Sequence, residues 1–88
     1  MDDRKSRNAI YAMHKLACYA RTEVLTNPDL KRSVRILDCI EWCLQTMVRD
    51  ADWDQTIRER LSEVARAFPE YAGIVRIYEM GDPSASAS

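Results

Sequence analysis

Apolar residues recur along most of this chain at spacings of three and four, the period of an α-helix with one side turned to a core. In the first segment Ile10, Met13, Ala17, Ala20 and Val24 follow that rhythm, and Leu16 widens the stripe. The pattern predicts a helix from about Asp3 to Leu25. It stops at Thr26-Asn27-Pro28-Asp29, because Pro28 has no amide hydrogen and disfavours helical geometry at Asn27.

A second helix is expected over about Asp29 to Asp50, with Asp29 as its N-cap. Its apolar positions are Val34, Ile36, Leu37, Ile40, Cys43, Leu44, Met47 and Val48. At about 100° per residue they cover nearly half of the cylinder, more than one neighbouring helix can hide. The connection to the first helix is short, so the two should run antiparallel.

After the break at Arg49-Asp50-Ala51-Asp52, Asp52 or Asp54 can cap a third helix. This helix is amphipathic, with Trp53, Ile57, Leu61, Val64 and Phe68 on one stripe and Arg58, Glu59, Arg60, Ser62, Glu63 and Arg66 opposite. Pro69 suits the first residue of a new turn. Glu70 to Met80 then reads as a short helix with Tyr71, Ile74, Val75 and Tyr78 inward. The β-branched run Ile74-Val75-Arg76-Ile77-Tyr78 makes a strand the rival, although a lone strand needs a partner to pair with. Gly81-Asp82-Pro83 closes the fold and Ser84 to Ser88 is expected to be a flexible tail.

The fold class is therefore all-α: an antiparallel helical hairpin, a third amphipathic helix and a short C-terminal helix in one domain, residues 1–83, with helix over roughly 60–75% of the chain. Composition agrees, with 47% hydrophobic residues and two glycines. A chain of this size hides only about 60–65% of its unfolded surface, so a second copy is expected to complete a dimeric helical bundle.

Charge narrows the partners. The net charge of −1 leaves no general nucleic-acid footprint. Residues 1–25 carry five basic and three acidic groups, residues 51–88 four and seven, an imbalance that a solvated surface tolerates. No apolar run approaches the ~20 residues of a membrane span, and the charged start lacks a targeting segment, so a cytoplasmic setting is expected. Three cysteines, an odd number, fit reduced thiols better than a disulfide framework.

Candidate chemistry is sparse. His14 with Cys18, and Cys39 with Cys43, are i, i+4 pairs, each placing two soft ligands on one helical face. Across an antiparallel hairpin the pairs would lie level, as a metal- or redox-sensing site requires. Their helical phases place them on opposite sides of the hairpin, so they read as semi-buried small residues and a histidine at a packing edge. No cofactor is expected. An enzyme would need a nucleophile, an orienting group and an oxyanion site on loops, and the chain has few glycines and no long loop. A phosphorelay role for His14 lacks the small residue that would admit a receiver. A helix-turn-helix is opposed by the last helix, where Arg76 faces Glu70 and Glu79, although Arg4-Lys5-Ser6-Arg7 could touch a DNA backbone.

Trp42 is the most informative residue. It falls opposite the expected apolar centre of the second helix, among Arg35, Asp38, Thr46 and Arg49, and Tyr19 is comparably placed on the first. Trp, Tyr and Arg anchor binding hot spots because they bury large rigid area with a polar handle. Trp42, Tyr19, Arg35, Cys39 and Arg49 are the candidate interface. The competing reading is that a later helix of the same chain crosses Trp42. The function expected is non-catalytic: a small regulator, adaptor or inhibitor that occupies the surface of an unidentified protein partner.

Overall fold

The computed structural model describes residues 3–81. Residues 82–88, which include most of the expected closing turn and the whole expected tail, lie outside the described residues. Four α-helices, α1 (Asp3–Thr26), α2 (Lys31–Arg49), α3 (Trp53–Ala67) and α4 (Ile74–Met80), are joined by short turns, with one turn of 3₁₀ helix at Pro69–Tyr71. Helix accounts for 86% of the described residues, and there is no strand among them. None of these helices is long and apolar enough to cross a membrane.

The boundaries follow from local hydrogen bonding. After α1, the Asp29 amide donates to Asn27 Oδ1 and the Lys31 amide to Asp29 Oδ1, both at 3.0 Å. Asp29 thus braces the turn one position before the N-cap, which is Leu30. Before α3, Asp50 Oδ1 accepts from the Asp52 amide at 2.8 Å, while Asp52 sits at the N-cap without a side-chain bond. Asp54 is committed elsewhere: its Oδ1 accepts from the Tyr78 hydroxyl at 2.5 Å.

The expected continuous helix from Glu70 to Met80 is divided. Pro69 starts a tight turn in which the Tyr71 and Ala72 amides bond the Phe68 and Pro69 carbonyls, and α4 begins afresh at Ile74. The strand alternative fails: Ile74 and Tyr78 are buried while Arg76, which a strand would set on the same face, is exposed. Gly81 ends α4 at φ +79°, the left-handed region where glycine has no Cβ penalty. The Asn8 side-chain amide donates to the Glu79 carbonyl at 3.3 Å, which ties the end of α4 to α1.

The core gathers Leu16 of α1, Ile36 and Cys43 of α2, Ile57 and Leu61 of α3 and Ile74 of α4, with Phe68 and Tyr78 at its margins. The stripe expected on α3 is the one buried, with Trp53 half-buried at its start. The stripes expected on α1 and α2 need correction. On α1 the buried side is Ala9, Ala12, Met13, Leu16 and Ala20, joined by Glu23, while Ile10 and Val24 are 54% and 52% exposed and Ala17 is exposed too. On α2 it is Ser33, Ile36, Cys39 and Cys43, while Val34, Leu37, Leu44 and Val48 lie outside.

Both inner faces are turned by about 70° from the apolar centres read from the sequence. Three alanines on α1 and the two cysteines and Ser33 on α2 allow close helix approach, which large aliphatic side chains would prevent. The contact between α1 and α2 is the most extensive in the fold, followed by α1 with α4.

Candidate interaction surfaces

The rotation of α2 changes the surroundings of Trp42. Its indole is half-buried on the flank of α2 nearest α3, and the Arg60 guanidinium lies 4.1 Å from its ring centroid. An aromatic stranded on a polar face has become one covered by the chain's own α3, in a cation–π contact. Arg35, Asp38, Cys39 and Trp42 of α2 line an open groove with Arg60, Glu63 and Val64 of α3. Arg35 also reaches over Phe68, its guanidinium 5.2 Å from that ring.

Of the five candidate interface residues, the structure brings Trp42, Arg35 and Cys39 together in this groove. Arg49 is exposed at the end of α2 and takes no part in it. Tyr19 belongs to another region, stacked face to face on Tyr71 with centroids 4.4 Å apart and planes 9° from parallel.

The thiols are all free. Cys43 is fully buried and Cys39 nearly so. Cys43 donates to Cys39, which together with burial pushes the Cys43 thiol up and draws Cys39 down. His14 is exposed on α1, with its Nε2 3.9 Å from Cys18 Sγ. The two pairs are not brought together. Among the described residues no group of three or more His, Cys, Asp or Glu is placed to hold a metal ion.

The sequence reading missed Glu23. This carboxylate is 8% exposed, accepts from Arg32 Nε at 2.7 Å and takes a short hydrogen bond from the Tyr71 hydroxyl. The Tyr71 bond and then the Arg32 bond hold its pKa below the usual carboxylate range. Arg32 continues to Glu70 and packs its guanidinium 4.7 Å from the Phe68 ring centre. The cluster joins α1, the start of α2 and the 3₁₀ turn. One signal was present in the sequence: Glu23 is the sole acid between Arg4 and Thr26, near the end of a helix whose other charged residues after Asp3 are basic.

A second surface lies on the opposite sides of α1 and α2. Ile10, His14, Ala17, Arg21 and Val24 follow spacings of 4, 3, 4 and 3 along α1. On that helix they are roughly 160° around from Asn8 and Tyr19, which meet α4 and the 3₁₀ turn. Leu30, Val34, Leu37, Glu41, Leu44 and Val48 follow 4, 3, 4, 3 and 4 along α2, away from the flank that meets α3. Seven of the nine large hydrophobics that remain exposed belong to these stripes, Val48 the most bare at 88%.

An all-helical protein with a two-stripe heptad surface is a common kind of scaffold, and the fold alone selects no function. No family model matches the chain, and no curated protein or solved structure matches it.

Proposed function

We propose that this is a small non-catalytic interaction protein, a regulator or adaptor that works by laying the outer faces of α1 and α2 against a partner. In this reading α1 and α2 form an antiparallel hairpin, so that both stripes share one side while α3, the 3₁₀ turn and α4 cover the other. The fold is then one half of a dimeric helical bundle. Three free thiols suit a reduced, cytoplasmic setting.

The observation that carries the proposal is the concentration of seven large exposed hydrophobics on two heptad-spaced stripes. Monomers scatter such residues singly, and a contiguous patch marks an interaction surface. The Trp42 groove supports the reading less, because Arg60 already covers the indole. The closest approach to a catalytic pair, His14 with Cys18, lies on the helix surface with no third group bonded to the ring among the described residues.

Leu37→Glu tests it. The substitution is at a half-exposed position, so thermal melting of the isolated subunit should change little. Self-association and capture of partners by immobilised protein should both be lost. Equal self-association and equal capture by wild type and variant would reject the outer face as the working surface.

A further inference from the structure

The outer face carries charges whose arrangement identifies its occupant. The two charged residues lying on the stripes are Arg21 on α1 and Glu41 on α2. Neither enters an ion pair among the described residues, although Glu23, Arg32, Asp54, Arg58 and Glu79 all do. The charge on the stripe of α1 is thus basic, and that on the stripe of α2 is acidic.

The ion pair between Glu23 and Arg32 sets the register of α1 against α2. With those residues level, Glu41, nine residues beyond Arg32, is level with His14, nine residues before Glu23. Side chains lean toward the N-terminus of their own helix. Arg21 therefore leans away from the α1–α2 turn, and Glu41 leans toward it.

From this we propose that the outer face is occupied by a second copy of this chain, related by a two-fold axis parallel to α1 and α2. The proposal rests on the interaction reading above and specifies its partner. With this axis each α1 lies antiparallel on the α2 of the other subunit, and the partner subunit's Glu41 comes level with His14, about 10 Å along the helix from Arg21. The leaning of the two side chains brings Arg21 and the partner's Glu41 together. Symmetry repeats the pair, so both charges on each subunit's outer face are matched.

The other closed arrangement, a two-fold axis across the helices, stacks like on like. It would set Glu41 on the partner's Glu41, which opposes association, and would leave Arg21 without an acidic partner. Size points the same way. Stripes some 20–27 Å long on two helices about 10 Å apart present on the order of 500 Å² per subunit. A pair buries about 1,000 Å² in total, where specific interfaces begin.

Charge reversal tests the axis, and sedimentation equilibrium from micromolar to millimolar concentration reads it. Wild type should be a dimer. Arg21→Glu and Glu41→Arg should each weaken it about tenfold or more, since each sets like charges together twice. An equal mixture of the two variants should recover the dimer, with native mass spectrometry finding one chain of each kind. Circular dichroism of each variant confirms that the subunit remains helical. A tighter Arg21→Glu dimer, or a mixture that does not recover, would overturn the parallel axis. A wild type that stays monomeric throughout would overturn the second copy as occupant, and partner capture still lost in Leu37→Glu would then leave the interaction reading standing.

Discussion

The two sides of α2 differ in an unexpected direction. Its inner side presents Ser33, Ile36, Cys39 and Cys43, of which one is a large aliphatic. Its outer side presents Leu30, Val34, Leu37, Leu44 and Val48, all large and all at least 43% exposed. With Ile40 and Met47 also packed partly buried against the core, both faces are hydrophobic, and one of them is left in water. The difference teaches that a hydrophobic pattern records every surface a helix must cover, including those covered only by assembly. Packing within the subunit selects for fit, and small side chains that let helices approach can fit better than large ones.

The sharpest way to break this contrast is to truncate one residue from each side and follow urea unfolding at two protein concentrations. Leu61→Ala removes a fully buried side chain and should cost about 2–5 kcal/mol at either concentration. Val48→Ala should cost under about 0.5 kcal/mol in the dilute subunit, with any larger loss confined to the concentrated sample. Equal costs at low concentration would mean that the two sides do not differ as described.

The glycines repeat the contrast on a smaller scale. A Cβ at Gly81 would lie 2.3 Å from Asn8 Oδ1, and φ there is +79°. Gly81→Ala should therefore destabilise by about 1–2 kcal/mol, read as a lower urea midpoint. A Cβ at Gly73 would meet nothing within 4 Å. Its backbone is helical at φ −61°, so Gly73→Ala should stabilise by about 0.4–1 kcal/mol.

Glu23 provides the smallest and most specific probe, since it is the charged residue on the inner side of α1. Hydrogen bonds from Tyr71 and Arg32 lower its pKa in the folded state. The stabilisation is therefore present above the ordinary carboxylate range and is lost as pH falls through the lowered folded value. Glu23→Gln should be less stable than wild type near neutrality, and the gap should close on acidification. A gap independent of pH would mean that the carboxylate charge has no part in the contact.

Punctuation was legible in the sequence, and rotation was not. Pro28, Asp50 to Asp52 and Pro69 each break a helix through missing donors or local side-chain bonds, which depend on near neighbours alone. The stripe of α3 was also legible, because its opposite side is charged at every position but Ser62. On α1 and α2 two apolar stripes lie side by side, and period alone does not say which of them meets the rest of the subunit. That choice depends on alanines, Ser33 and the cysteines admitting close contact, a property of pairs of helices. Trp42 was misplaced for the same reason: its position was measured from an apolar centre that included the outer stripe. For Glu23 the sequence offered its isolation as an acid and nothing of its contacts, because its partner Tyr71 lies 48 residues away.

The hydrogen bond from Asn8 to the Glu79 carbonyl joins positions 71 residues apart and sets the early part of α1 beside the end of α4. Both lie on the edge of α1 turned away from the bare stripe. A fluorophore, a surface anchor or a fused domain attached before α1 or after α4 would leave from that edge. Donor and acceptor dyes at the two ends would report fraying of α4 through a short distance, while leaving the outer face accessible. A subunit immobilised by either end would offer its partner the same unobstructed surface.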